Sequence, residues 1–299
     1  MKQSDRLKFL KCLLALLFAV IYLPAYAENS KVRVFTSILP QKYFVEKIAG
    51  DLVEVEVLVG SGMSPHTFEP LPQQMSRLSR AAVFFMIGVP FEHALVQRLA
   101  AVCPDLKFVD TGKNAARRSM NEQESDHQHS EDCVHEAGAP DPHIWLDPAN
   151  AVTIAAAIAS GLIEIMPDRA ARLEEGLQKL TAELTAVDEQ LAASLKPLKG
   201  QTMLVFHPAF GYFAARYGLK QQSVEIEGKE PGPRQLAELI RQCRQLGIRV
   251  IFVQKQYPVA AAETIARSIN GAVVAIDPLA EDYVENLRRL CEAILAGVK

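Results

Sequence analysis

Two blocks of short apolar runs alternate with helix-like segments, and they are separated by a stretch from Asn150 to about Lys196 that carries helix pattern alone. In the first block "KVRVFTSIL" (31–39), "VEVEVLV" (53–59), "AVFFMIG" (82–88) and "KFVDT" (107–111) read as strands. The segments "QKYFVEKIAG", "PQQMSRLSRA" and "FEHALVQRLAAV" between them read as helices, the first ended by Gly50. The second block repeats the scheme with strands at 202–207, 222–228, 250–255 and 272–277 and a last helix from about Glu281. Strands separated by helices build parallel sheets covered on both faces. The middle stretch is broken once, at Pro167, after which Leu173, Leu177, Leu180, Leu184, Val187, Leu191 and Leu195 keep the three-and-four spacing of one amphipathic helix. The expected fold is α/β: two βα lobes, each with a mostly parallel four-stranded sheet, joined by one long rigid helix. The expected boundaries are 28–166 for the N-terminal lobe (with a polar loop at 113–140), 167–197 for the linking helix and 198–299 for the C-terminal lobe.

The N-terminus has another logic. Lys2, Arg6, Lys8 and Lys11 precede the apolar run "CLLALLFAVIYL", and Ala25-Tyr26-Ala27 follows as a small-x-small cleavage signal. This is the pattern of a secretory signal peptide, cleaved near Ala27, and it predicts export to the periplasm. The apolar run is too short for a comfortable membrane span, and no later stretch reads as apolar enough for one. Cys12 stands at the start of the run instead of after it, the wrong place for a lipid-modified N-terminus. Export leaves Cys103, Cys133, Cys243 and Cys291 in oxidising conditions, where disulfides are permitted but their connectivity is not readable. With 299 residues, 49% of them hydrophobic, the chain can bury a large core. A formal net charge of -3 with mixed signs along the chain offers no basic face to nucleic acid.

Histidine is scarce and unevenly spread: four of the seven lie between His127 and His143. In open α/β sheets, ligands bind beyond the carboxyl ends of the strands, and that rule sorts them. His66 lies in the loop after the strand 53–59, and His143 ends the polar loop after the strand 107–111. His207 and Asp277 are each the last residue of a predicted strand. A cleft between two lobes would gather all four, and three imidazoles with one carboxylate suit zinc. Pro65, Pro142, Pro208 and Pro278 adjoin these positions and restrict the local backbone. His93, inside a predicted helix, reads as structural or surface. His127, His129 and His135 stand with Asp126, Glu131, Asp132 and Cys133 in an aperiodic polar stretch, equally a weak metal tether or a solvated linker. "GSG" at 60–62 does not extend to a dinucleotide or P-loop motif, and neither a GxSxG elbow nor an HExxH helix is present.

"SPHTFEP" with His66, "DPHIWLDP" with His143, the long helix after it, "FHPAFGYFAARYG" with His207 and "IDPL" with Asp277 together carry a resemblance. Over nearly the whole exported chain, the sequence resembles the periplasmic zinc/manganese-type solute-binding proteins of ABC importers. The resemblance implies a metal held at the lobe interface, delivery to a membrane permease of an ABC transporter, and small motions on binding. His207 stands where manganese-type members tend to carry glutamate, which implies Zn2+ as cargo, with Mn2+ or Fe2+ as the variant. A bridge between Cys243 and Cys291 is also implied by comparable helices in zinc-type relatives. The sequence departs from the pattern at "FVQKQYP", because an acidic residue is common where Gln254 or Lys255 stands. The rival reading is a secreted zinc hydrolase, with Glu69 as its only local acid–base candidate; Asp277 as a fourth ligand would fill the position that catalysis keeps open. The expectation is a monomeric binding protein and not an enzyme.

Overall fold

The computed structural model describes residues 31–120, 140–226, 228–257 and 259–298. The leader and its cleavage site, and His127, His129, Cys133 and His135, lie outside the described residues. Strands β1 (Val32–Ile38), β2 (Val53–Val59), β3 (Val83–Met86) and β4 (Lys107–Asp110) form one parallel sheet in the order β2-β1-β3-β4. Strands β5 (Thr202–Val205), β6 (Lys220–Ser223), β7 (Val250–Gln254) and β8 (Ala272–Ile276) form a second, in the order β6-β5-β7-β8. The order in which strands are added reverses once in each parallel sheet, beside its first strand. Ligands favour that crevice in doubly wound folds.

Helices α1 (Leu39–Ala49), α2 (Pro72–Leu78) and α3 (Phe91–Ala100) serve the first sheet. Helix α1 ends at Gly50, whose φ of +56° a larger residue would adopt only under strain. Helix α4 (Pro148–Ile165) starts in "LDP": Asp147 caps it by accepting from Ala149 N at 2.9 Å, and Pro148 occupies its first turn. Pro167 lacks the N–H that would continue α4. A short 3-10 turn at Pro167–Arg169 follows, and then the linking helix α5 (Ala170–Leu195). The second sheet is served by α6 (Gly211–Tyr217), α7 (Pro233–Gln245), α8 (Val259–Ser268) and α9 (Tyr283–Gly297).

The apolar stripe of α5 is buried at Leu173, Leu180, Leu184, Val187, Leu191 and Leu195, against α1 and α4 on one side and α9 on the other. Gly176 allows the crossing with α1, since a Cβ there would stand 2.2 Å from the Ile48 carbonyl oxygen. The larger core runs from Val34 and Phe35 through Leu184 and Leu191 into Leu287 and Ile294, and so spans both lobes. Strand β5 sends Met203 and Val205 into it and Leu204, with Phe206 just past the strand, into a smaller core with Leu239, Cys243 and Ile251. A core shared across the interface resists wide hinge opening, because separating the lobes would expose it.

Four sequence expectations change. The strand expected at 222–228 lies at Lys220–Ser223, since Val224 dips into the outer core and Glu225 turns toward the lobe interface. Strands β5 and β8 stop short of His207 and Asp277, which belong to the loops beyond them. One later stretch, Pro148–Ile165, is apolar and long enough to cross a membrane by composition; half of it is buried in the protein, as the core helix α4. Cys243 and Cys291 are both free thiols. They sit in different cores, with the second sheet between them, so they form no bridge.

Candidate metal centre

The loop carrying His66 is pinned by buried Pro65 and by buried Phe68, which meets Phe91 edge-on at 4.9 Å. His143 opens a short 3-10 turn, Ile144–Leu146, whose Trp145 is fully buried. Its indole N–H donates to the Pro278 carbonyl of the other lobe at 2.7 Å, and the Tyr283 hydroxyl donates to the Trp145 carbonyl at 2.6 Å. These two bonds fix the His143 turn against the second lobe. His207 follows β5, and buried Gln254, the last residue of β7, bonds both its backbone N–H and its carbonyl. The switch point of the second sheet therefore sets His207 directly.

The three imidazoles meet. His66 Nε2 lies 3.3 Å from His143 Nε2 and 3.2 Å from His207 Nε2. In tetrahedral zinc coordination, with zinc–nitrogen bonds of about 2.0–2.1 Å, neighbouring nitrogens stand about 3.3–3.4 Å apart. The protonation pattern agrees. His143 Nδ1–H donates to Asp141 Oδ1 at 2.7 Å, and His207 Nδ1–H donates to Glu225 Oε2 at 2.6 Å. Both partners are carboxylates, so each Nε2 presents a lone pair inward, the tautomer a metal ligand needs. Lone pairs this close repel one another unless a cation lies between them.

Burial, then the neighbouring rings of His143 and His207, push the His66 imidazole down to about 3. Burial also lowers His207, against the opposing pull of Glu225. Both rings are therefore neutral near pH 7, free of the proton that competes with a metal. Tyr257 stacks on His207 at 5.0 Å and 18°, and its hydroxyl bonds Ser64 next to the His66 loop. Gly211 lets α6 approach Asp141, because a Cβ there would stand 3.0 Å from its carboxylate. The space left beside the rings is about 20 Å³, roughly the room of one ion or water.

The other candidates fall elsewhere. Asp277 is not in the three-imidazole group, whose ligand atoms all lie within 4.8 Å of one another. Its Oδ1 accepts from Leu279 N at 2.9 Å, and its Oδ2 lies 3.4 Å from Lys255 Nζ. It lines a neighbouring cavity of about 480 Å³ instead. His93 is exposed on α3, near Gln97, and Glu69 is exposed and does not line the centre. Asp141, Glu225, Gln254 and Tyr257 were not singled out as site residues from the sequence. Asp141, two residues before His143, was within reach of a search for carboxylates beside ligand histidines. Glu225 carries no local signal.

Fold and site together define the class: a two-lobed α/β binding protein, its lobes joined by a long helix, with a metal-sized three-imidazole centre between them. The chain belongs to the family described as zinc-uptake complex component A, periplasmic (ZnuA), whose sequence pattern matches residues 34–297. It is 29% identical over 282 residues to the zinc-binding lipoprotein AdcA of Streptococcus pneumoniae serotype 4. That match covers 92% of this chain but only 55% of AdcA, so the chain spans about half that relative's length. It is 27% identical over 310 residues to the high-affinity zinc uptake system protein ZnuA of Yersinia pestis, covering 95% of this chain and 97% of that protein. A crystal structure of ZnuA matches with a TM-score of 0.81 at 35% identity, over 90% of this chain and 99% of that one.

Proposed function

We propose that this protein is the zinc-capturing component of an ABC importer: it binds Zn2+ in the periplasm and delivers it to a membrane permease. The observation that carries this reading is the convergence of three Nε2 atoms within 4.8 Å of one another, with that of His66 at tetrahedral zinc spacing, 3.2–3.3 Å, from the other two, both of which are backed by carboxylates. His66, His143 and His207 supply the nitrogens, and Asp277 supplies a fourth, carboxylate ligand when its side chain turns in. Three nitrogen donors favour zinc over manganese, a harder ion that prefers oxygen, and iron(II) lies below zinc in intrinsic affinity for such sites.

The lining of the centre favours binding over catalysis: the three imidazoles converge on one point, and Glu69, the acid–base candidate, is exposed and does not line it. The protein thus acts as a monomeric carrier and not as a hydrolase. The test is competitive titration of the metal-free protein with zinc, manganese and iron(II), with growth on limiting zinc after loss of the protein or of its permease. One tight equivalent of zinc, and the same growth defect from either loss, support the reading. Preference for manganese, or normal growth on limiting zinc without the protein, contradicts it.

A further inference from the structure

We propose that Lys255 is an internal competitor of the metal for Asp277 and so sets how fast zinc leaves. The inference rests on the three-histidine zinc reading above. Of the two Asp277 oxygens, Oδ1 accepts from the Leu279 N–H at 2.9 Å, and Oδ2 is assigned to the metal once the side chain turns in. That is the oxygen Lys255 Nζ approaches, at 3.4 Å. A metal and the ammonium therefore contend for one atom.

The surroundings make the exchange feasible. Lys255 immediately follows Gln254, which holds His207, and stands two residues before Tyr257, which stacks on it. The competitor is thus built into the scaffold of the centre. The Lys255 side chain is 58% exposed while that of Asp277 is 10% exposed. When the metal takes Oδ2, the ammonium withdraws into water and strands no buried charge. The cavity of about 480 Å³ beside the pair, lined by Lys255, Asp277 and Ser61 of the first lobe, gives it room.

Charge balance leads to the same role. Three neutral imidazoles and a dication are already balanced by the carboxylates of Asp141 and Glu225 behind His143 and His207. Asp277 is one negative charge more than the loaded centre requires, and Lys255 cancels it. The lysine thereby holds the fourth ligand below its full strength, which suits a carrier that must give up its cargo.

The test compares wild type with Lys255→Met, Lys255→Arg, Asp277→Asn and the Lys255→Met/Asp277→Asn double variant, all as metal-free protein reloaded with zinc. Zinc release into excess chelator is followed, together with the visible spectrum of the cobalt(II) form, which reads the ligand set. Lys255→Met should slow release about two- to fivefold, the size of a partly exposed ion pair. It should also change the cobalt spectrum, while Lys255→Arg behaves as wild type. In the Asp277→Asn background both effects of Lys255→Met should vanish. An unchanged release rate in Lys255→Met, or an equal effect with and without Asp277, overturns the proposal. His207→Ala separates the two levels. If it keeps wild-type zinc affinity, the three-histidine reading itself fails; if it loses tight zinc while Lys255→Met is silent, only the role of Lys255 fails.

Discussion

Gln254 grips the backbone of His207 from both sides: its Oε1 accepts from the His207 N–H at 3.2 Å, and its Nε2 donates to the His207 carbonyl at 2.6 Å. Only an amide offers a donor and an acceptor on one short fork. A carboxylate at this position can accept but not donate, so the sequence carries glutamine where the family resemblance suggested an acid. Gln254→Glu should leave the His207 carbonyl unpaired and a charge buried, costing about 1–3 kcal/mol of stability. Denaturant unfolding of the metal-free protein measures this, and zinc affinity should fall with it.

Asp141 and Glu225 orient two of the three rings. Asp141→Asn and Glu225→Gln keep size but remove the charge and free the tautomer. Each should weaken zinc about 10- to 100-fold without unfolding the protein, as partners behind metal-bound histidines typically do. Calorimetric titration with melting curves of the metal-free variants separates affinity from stability.

Trp145 is the only tryptophan in the chain, and its ring lies 5.3 Å from that of His143. Zinc binding should therefore change its emission stoichiometrically, saturating at one equivalent. Trp145→Phe removes that signal and leaves the Pro278 carbonyl without its donor, at a cost of about 1–3 kcal/mol. Emission that ignores zinc in the wild type would argue that the metal sits elsewhere.

The depressed His66 gives a pH dependence with a definite sign. Its imidazole titrates at about 3 when folded and at about 6.5 when unfolded. Between those values the unfolded chain carries a proton that the folded one lacks, so stability rises with pH and is lost as pH falls through the window. Buried Glu92, pushed up to about 7, acts with the opposite sign, its contribution being lost as pH rises. It is common to wild type and His66→Gln, and it cancels in their difference. Relative to His66→Gln, metal-free wild type should lose on the order of a few kcal/mol between pH 6.5 and the acid side. Parallel unfolding midpoints for the two proteins across pH contradict this.

The alternation of "VEVEV" running into the apolar Leu58 and Val59 made β2 legible to the residue. The same alternation misled at "VEIE", where Val224 is inward for the outer core and Glu225 for His207, and neither extends strand β6. The strand-end rule brought out His66, His143 and His207 because it fixes which edge of a sheet a residue occupies. It does not fix what a side chain meets there, so the Lys255 partner of Asp277 was out of reach. Nor does a helix pattern give the face of the sheet that a helix covers, and for that reason Cys243 and Cys291 could not be separated by reading alone. Glu225 pairs across 18 residues through tertiary structure, with no spacing to announce it.

The proposed function requires one zinc ion held by His66, His143 and His207. A zinc-edge anomalous difference map from crystals of the zinc-loaded protein tests it most directly. The map should show a single dominant peak between the three rings, about 2.0–2.1 Å from each Nε2. A dominant peak away from these rings, or none at this place in crystals that contain one equivalent of zinc, would contradict it.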